Sequence, residues 1–306
     1  MQARVQIATT TGRASCRYGR TLPLSLMAGN LFLAGACAAL AAEAPKRVVS
    51  MNVCTDQMAM LVADDGQLHS VSYLAGDPAT SVLAVEARRF VINHGQAEEV
   101  FLMQPDLVLA GSYTTRATVG LLRQLGIRVE EFPPETSFDD VRASLRRMGD
   151  ILGRQSRAEA LVAELDGKLA RARAHPHRDL TIATYFANSY TSGAGTLVDA
   201  VVTASGLTNL ATKLGLSGTQ QLPLELLVLA KPDMLVDSEA RYATPALAQQ
   251  TFVHPAYRAL SEETARVSVP TRYTICGAPF TATAVEMLTE AAASRSESGH
   301  AGGAQP

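Results

Sequence analysis

Gly193-Ala-Gly195 is the segment of this chain that comes nearest to a cofactor-binding or catalytic motif. It lies between a predicted strand and a predicted helix, where the glycines of a dinucleotide fingerprint hold a pyrophosphate. Val198 replaces the third glycine and no clear acidic residue ends the next strand, so we interpret the segment as a tight turn. A Gly-x-Ser-x-Gly elbow, a phosphate loop and a paired-histidine zinc motif are missing from the sequence. These observations favour a binding protein with no catalytic residues, and a secreted α/β enzyme is the competing class.

The first forty residues differ in kind from the rest of the chain. Four arginines precede an apolar stretch over 22–40, which is short for a membrane span and ends in small residues that fit an A-x-A processing site. This pattern predicts a cleaved signal peptide over residues 1–41. An uncleaved membrane anchor is one alternative. Lipidation at Cys37 is another, although Leu33 lies four residues before that cysteine and the lipoprotein pattern places it three before.

Cys54 and Cys276 are the two cysteines that remain after such cleavage. In an oxidising compartment they form either a disulfide or two free thiols that merely pack. A disulfide would close a loop of more than two hundred residues and stabilise the fold by several kcal/mol in the chain-entropy model. The sequence does not supply the Cα separation that a disulfide requires, so both alternatives stay open.

Composition bounds the class of the protein. The chain has 306 residues, of which 47% are hydrophobic and 18% are charged, so it can bury one large core or two moderate ones. The net charge of -2 becomes -6 when the four arginines before residue 41 are removed, which argues against a broad basic surface for nucleic acid. We therefore expect two domains and no nucleic-acid partner.

The order of predicted elements indicates two α/β lobes. Short apolar runs alternate with helices of about ten residues, which is typical of a parallel sheet covered on both faces. We expect an N-terminal lobe over 45–135, a linker over 136–175, a C-terminal lobe over 178–292 and a frayed tail over 293–306. The linker is predicted as one long helix of roughly 50 Å, or as two helices with a bend near Gly153.

The two predicted lobes echo each other in sequence. A glutamate, six helical residues, Pro-Asp and a strand occur at 98–110 and again at 225–237. In each unit the proline ends the helix and the next strand enters a buried sheet. Two similar lobes joined by a helix form a cleft between them, where binding sites tend to lie.

The ordered set of motifs resembles one known family, the periplasmic substrate-binding proteins of ABC importers for vitamin B12 and ferric siderophores. The resemblance covers residues 47–288 and rests on the Arg-Val-Val-Ser-Met-Asn opening, Gly-Gln-Ala-Glu-Glu-Val, Gln-Pro-Asp-Leu-Val-Leu-Ala, Leu-Leu-Arg-Gln-Leu-Gly-Ile-Arg-Val, the proline-rich entry to the linker, and Lys-Pro-Asp-Met-Leu-Val. It implies two Rossmann-like lobes with central parallel sheets joined by one long linker helix.

The resemblance also implies what is bound and where. In that family the ligand contacts the loops that follow the strands on the cleft side of both lobes. Tyrosine and arginine suit a large, flat, partly anionic metal chelate, and a ferric siderophore is slightly preferred over cobalamin or haem. The matching positions are Asn52, Cys54, Tyr73, Asn93, His94, Tyr113, Thr114, Arg116, Asn188, Tyr190, Arg272, Tyr273 and Cys276. In the same fold Cys54 and Cys276 border the base of the cleft.

Further implications concern partners and location. One acidic residue on each lobe of the family docks onto arginines of the permease, and Glu98 and Glu225 occupy those positions. A glutamate in the first turn of a helix is also favoured by the helix dipole alone. We expect a periplasmic monomer that delivers its ligand to a permease dimer and has no cofactor of its own.

A bare metal ion is the remaining alternative ligand. Relatives of this architecture that bind zinc or manganese use several histidines and a carboxylate. Only His94 of the mature histidines falls on a predicted cleft loop, while His175 and His177 end the linker. We therefore expect metal to enter only inside a chelate.

Overall fold

The computed structural model describes residues 43–114, 116–173, 180–237 and 247–301, with the backbone alone described at 237 and 296–301. The predicted signal peptide, Cys37, His175 and His177 lie outside the described residues. The described residues lie in one compact unit that begins at Glu43.

The N-terminal lobe is a five-stranded parallel sheet in the order β3-β2-β1-β4-β5. Strands β1 and β4 are buried along their whole length, because helices cover both faces of the sheet. The elements are β1 (Val48–Ser50), α1 (Val53–Val62), β2 (Leu68–Ser72), β3 (Val91–Asn93), α2 (Ala97–Leu102), β4 (Leu107–Gly111), α3 (Arg116–Gln124) and β5 (Val129–Phe132).

Two helices follow, α4 (Phe138–Leu152) and α5 (Gln155–Arg173). The C-terminal lobe then contains a four-stranded parallel sheet in the order β11-β10-β6-β8 and an antiparallel pair, β7 with β9. Its elements are β6 (Thr181–Thr184), β7 (Tyr190–Ser192), α6 (Leu197–Ala204), β8 (Thr208–Asn209), α7 (Leu210–Lys213), β9 (Thr219–Gln221), α8 (Leu224–Ala230), β10 (Met234–Asp237), α9 (Gln250–Val253), α10 (Pro255–Glu263), β11 (Ala265–Ser268) and α11 (Thr281–Ala301).

The predicted fold class, an α/β protein with two parallel sheets, is confirmed. Helix α11 continues past residue 293, where the predicted tail begins, to Ala301. The segment Gly193-Ala-Gly195 is a turn that leads into α6, as the missing third glycine indicated.

The linker consists of two helices that meet at Gly153, as the second of the two predicted forms has it, but they fold back into a helical hairpin, so the single long helix is wrong. Helix α4 ends at Gly153, whose φ of 69° is left-handed and whose missing side chain leaves room for Ala44. The helices run antiparallel, with Arg146 Nε donating to Glu159 Oε1 at 2.7 Å. A side chain at Gly149 would lie 2.5 Å from the Ala158 Cβ, so the two helices cross closely there.

The hairpin joins the cores of the two lobes. Helix α4 packs on α1, whereas α5 packs on α6 and α11. Leu145 and Met148 of α4 and Leu165 and Leu169 of α5 lie in one continuous apolar cluster with Val48 and Leu288. Because the lobes share this cluster, the linker is part of the core and not a tether between two bodies.

The sequence echo corresponds to a repeated structural unit. Asp106 accepts hydrogen bonds from the backbone N–H groups of Lys46 and Arg47, at 2.6 and 3.0 Å, at the start of β1. Asp233 likewise accepts from the backbone N–H and hydroxyl of Thr181, at 2.7 and 2.8 Å, at the start of β6. Gln104 and Lys231, each two residues before its aspartate, both have a positive φ. Each Pro-Asp turn therefore ties one strand to the first strand of its own lobe.

Candidate functional site

Each sheet has a point where the chain reverses the direction in which it adds strands. In the N-terminal lobe this point lies between β1 and β4, and in the C-terminal lobe it lies between β6 and β10. In open α/β sheets the crevice for ligands opens beyond the carboxyl ends of the strands at such a point. The segment that follows β10, residues 238–246, lies outside the described residues.

The carboxyl ends of the two sheets meet. Cys54, directly after β1, forms a disulfide with Cys276, which follows β11, with a Cα separation of 5.1 Å. Beside it, a side chain at Gly277 would lie 2.5 Å from the Glu135 Cβ, so the two chain segments touch. The disulfide and this contact join the two lobes at the base of the inter-lobe cleft that the sequence analysis predicts.

A pocket of about 210 Å³ opens at this base, beyond the carboxyl ends of β1, β4 and β5. Its apolar wall contains Met58 and Phe132, and its polar wall contains Asn52 and Ser112. The full lining is Asn52, Cys54, Thr55, Met58, Gly111, Ser112, Tyr113, Phe132, Pro133, Pro134 and Glu135. The pocket is smaller than the usual site of a whole small-molecule ligand, which occupies roughly 300–1,000 Å³.

Glu135 is the one residue of this lining with a formal charge at neutral pH. It is 7% exposed, and burial raises the pKa of its carboxyl group. The Ser144 hydroxyl and the Gly277 backbone N–H oppose that rise, while the charge of Asp140 adds slightly to it. Among the described residues no arginine or lysine pairs with this carboxyl group.

Aromatic rings stand at the strand ends on both lobes. Tyr113 is 88% exposed after β4, and Tyr190 is exposed at the start of β7. Tyr73 stacks on His94, with ring centroids 5.7 Å apart and an angle of 18° between the rings. On the C-terminal lobe, the Arg272 guanidinium lies 5.1 Å from the centroid of the Tyr273 ring. These surfaces can stack on a flat ligand.

Four further members of the predicted set belong to the loops themselves. Asn52 caps α1 by accepting from the Cys54 N–H at 2.9 Å. The Thr114 hydroxyl accepts from the Gly111 N–H at 3.0 Å, which holds the loop after β4. Arg116 is exposed at the first position of α3, and Asn188 is exposed after β6 with a left-handed φ of 57°.

Asn93 requires a correction, because it does not face the cleft. Its side chain is 0% exposed and donates to the Ser50 carbonyl and the Ser70 hydroxyl, both at 2.8 Å. Its carbonyl oxygen accepts from the Gly95 N–H. Asn93 is the last residue of β3, and its side chain ties this strand to β1 and β2 and has no surface for a ligand.

The sequence reasoning missed Glu135, Ser112 and the apolar wall of the pocket. Pro133 and Pro134 count in the sequence analysis only as the proline-rich entry to the linker. The signal that could have found Glu135 is its position, three residues beyond the carboxyl end of β5. The rule that ligand-binding residues follow the carboxyl ends of strands applies to β5 as it does to the other strands of this sheet.

Glu98 and Glu225 lie in equivalent places on the two lobes. Each is exposed in the first turn of its helix, α2 or α8, and neither forms an ion pair among the described residues. Four residues later each helix presents an exposed leucine, Leu102 at 80% and Leu229 at 76%. Each lobe therefore carries a solvated carboxylate beside an apolar side chain.

Metal-binding clusters and membrane-spanning helices are both missing from the described residues. In the described part of the chain, no three histidine, cysteine, aspartate or glutamate side chains lie close enough together to hold a metal ion. Over the same residues, no helix combines the length and the apolar character that crossing a bilayer requires.

Known proteins share this architecture. Residues 48–261 match the family model described as "Periplasmic binding protein". The chain is 30% identical over 202 residues to a cobalamin-binding protein of Halobacterium salinarum, covering 63% of this chain and 53% of that protein. It thus spans about half the length of the curated relatives that it matches.

Two solved structures illustrate the shared fold. The periplasmic vitamin B12 binding protein of Vibrio cholerae aligns with a TM-score of 0.62 at 16% identity, over 82% of this chain and 98% of that one. The periplasmic heme-binding protein of Roseiflexus sp. RS-1 aligns with a TM-score of 0.66 at 21% identity, over the same shares. At these identities the likeness establishes the fold, and the family match covers most of the described chain. The chain belongs to the periplasmic binding protein family.

Proposed function

We propose that this protein is the receptor of an ABC importer, which captures a metal chelate between its lobes and delivers it to a permease. The observation that carries the proposal is the meeting of the carboxyl ends of both sheets at one cleft base, marked by Cys54 and Cys276. Family membership supports a periplasmic location and a binding role, and the proposal contains no catalytic step.

The side chains around the cleft support a large, flat ligand. Tyr73, Tyr113 and Tyr190 expose rings at strand ends, and Arg116 and Arg272 add positive charge on opposite lobes. The named relatives bind cobalamin and heme, and both are flat metal macrocycles. A metal chelate fits this combination better than a sugar or an amino acid would, because rings stack on its face and arginines pair with its oxygens.

The proposed partner is a permease with two equivalent docking surfaces. We call Glu98 with Leu102, and Glu225 with Leu229, the two docking sites of the receptor. Their equivalent positions in the repeated unit suit a partner built from two copies of one subunit. Each carboxylate can pair with an arginine of that partner, and each leucine can lose its exposed surface on contact.

Replacing Glu98 and Glu225 with alanine tests the transport role. Uptake of a labelled chelate should fall at least tenfold in cells that carry the double variant in place of the native protein. Ligand affinity and melting temperature should stay unchanged, because both carboxylates are solvated and unpaired.

The matched control is E86A/E263A, which removes one exposed glutamate from each lobe away from α2 and α8. Uptake by the control should equal that of the native protein. Normal uptake by the E98A/E225A variant would refute the docking sites. A tenfold loss of ligand affinity in that variant would instead place the two glutamates in the cleft.

A further inference from the structure

The pocket at the base of the cleft is too small for a whole chelate and large enough for one of its side groups. Its volume of about 210 Å³ lies below the roughly 300–1,000 Å³ of a site that holds a whole small-molecule ligand. Such a space suits a short side arm of a larger ligand. The face of the ligand would then rest on the exposed ring of Tyr113 at the mouth of the pocket.

Several polar atoms of the pocket lining already have partners. The N–H groups of Cys54, Gly111 and Ser112 donate to Asn52 Oδ1, the Thr114 hydroxyl and the Phe132 carbonyl, respectively. The Thr55 hydroxyl is engaged with the Ser50 hydroxyl and the Asn52 carbonyl. Among the side chains, a ligand group can therefore be recognised by those that remain.

Two of the remaining side chains have complementary roles. Asn52 Nδ2 donates to no partner among the described residues, so it can donate to a ligand oxygen. Glu135 has two carboxylate oxygens, with about four acceptor positions, and three donors lie near them: the Ser144 hydroxyl, its own backbone N–H and the Gly277 N–H. The pocket thus offers a donor and a strong acceptor to the same occupant.

The charge of Glu135 also determines which groups the pocket rejects. It is largely buried, it has no basic partner among the described residues, and the other lining residues are uncharged at neutral pH. A carboxylate placed beside it would meet a like charge in a poorly solvated space. A neutral group with N–H donors meets an acceptor instead.

We propose that this pocket is a subsite for an uncharged primary carboxamide arm of the ligand, with Glu135 accepting its N–H and Asn52 donating to its carbonyl oxygen. The inference rests on the proposed function, because the rest of the ligand must occupy the inter-lobe cleft. It predicts that the receptor binds chelates with carboxamide side groups and rejects chelates whose side arms are carboxylates.

Cobalamin carries peripheral carboxamides, and its monocarboxylate derivatives, in which one amide has been hydrolysed, supply the matched probe. The purified native protein should bind cobalamin at least tenfold more tightly than those derivatives whose hydrolysed arm enters the pocket. In E135Q, which keeps an acceptor oxygen without the charge, the difference should shrink to less than threefold. E135A should lose at least tenfold in affinity for cobalamin itself.

Haem, which bears propionates, and a ferric hydroxamate complete the panel, and E263Q on the exposed end of α10 is the control. Thermal unfolding of each variant checks that it is folded. If E135Q shows the same ratio of affinities for cobalamin and its monocarboxylate derivatives as the native protein, the subsite is refuted. Tighter binding of haem than of cobalamin would refute it as well. If the folded native protein binds none of these chelates, the proposed function fails together with the subsite.

Discussion

Asp56 carries a buried carboxyl group in the first turn of α1, directly after Thr55, which lines the pocket. Its Oδ2 accepts from the backbone N–H and the hydroxyl of Ser72, while its Oδ1 has no partner among the described residues. Burial raises the pKa of this group from 3.8 to about 7, and the nearby Ser50 hydroxyl and the two hydrogen bonds from Ser72 oppose the rise. Because the charged form is costly here, Asp56 makes the stability of the fold depend on pH.

The sign of this dependence follows from proton binding. Between pH 4 and 7 the folded protein holds a proton on Asp56 that the unfolded chain has released, so the free energy of unfolding falls as pH rises. The loss reaches at most about 4 kcal/mol above pH 7. The D56N variant should lack this contribution. The free energy of unfolding of D56N minus that of the native protein should therefore be larger at pH 7.5 than at pH 5. Urea unfolding at the two pH values measures the difference, and an equal difference at both would contradict the account.

Asn93 and Glu135 show how far sequence reasoning reaches at the level of single residues. Asn93 ends β3 and Glu135 lies three residues beyond β5, so both backbones are at the carboxyl edge of one parallel sheet. The strand-end rule pointed to Asn93 and was not applied to Glu135. The rule does not tell whether a side chain turns outward or back across the sheet. Asn93 turns inward to Ser50 and Ser70, which belong to two other strands, and such long-range partners leave no local signal in the sequence.

Helices α4 and α5 show the same limit at the level of elements. Apolar residues at three- and four-residue spacings predict helix over 138–173 whether the chain continues straight or folds back. Gly153 marks the reversal, but its sequence neighbourhood also fits a bend. The contacts that decide the matter, Gly149 with Ala158 and Gly153 with Ala44, form only when the hairpin is packed. The strands and most helices were predictable because their periodicity is local.

The disulfide between α1 and the segment before α11 is the covalent link at the cleft base. It closes a loop of 222 residues, and restricting the unfolded chain by such a loop stabilises a protein by about 2–5 kcal/mol. The C54S/C276S variant should lose stability by that amount in urea unfolding. Dithiothreitol should lower the stability of the native protein similarly and leave the variant unchanged. If dithiothreitol has no effect on the unreduced native protein, the pair is not bonded in solution.

At the scale of the whole molecule, the two lobes are joined in three ways. They share one apolar cluster through the hairpin, the Cys54–Cys276 disulfide links them, and the segment at Gly277 packs on Glu135. We expect a molecule joined in this way to change the opening of its cleft only slightly when a ligand binds. Its ligand must therefore match the shape and charge of that cleft, and a compound lacking either match should bind weakly.

Equilibrium titration of the protein without its predicted signal peptide, residues 42–306, with metal chelates tests the central claim most directly. Tyrosine fluorescence provides the signal, since residues 42–306 contain seven tyrosines and no tryptophan. The account predicts saturable binding of one chelate per protein with a dissociation constant in the micromolar range or below, weakened at least tenfold in Y113A. Absence of binding to cobalamin, haem and ferric siderophores, in protein whose circular dichroism shows it folded, would contradict the claim that the protein is a chelate receptor.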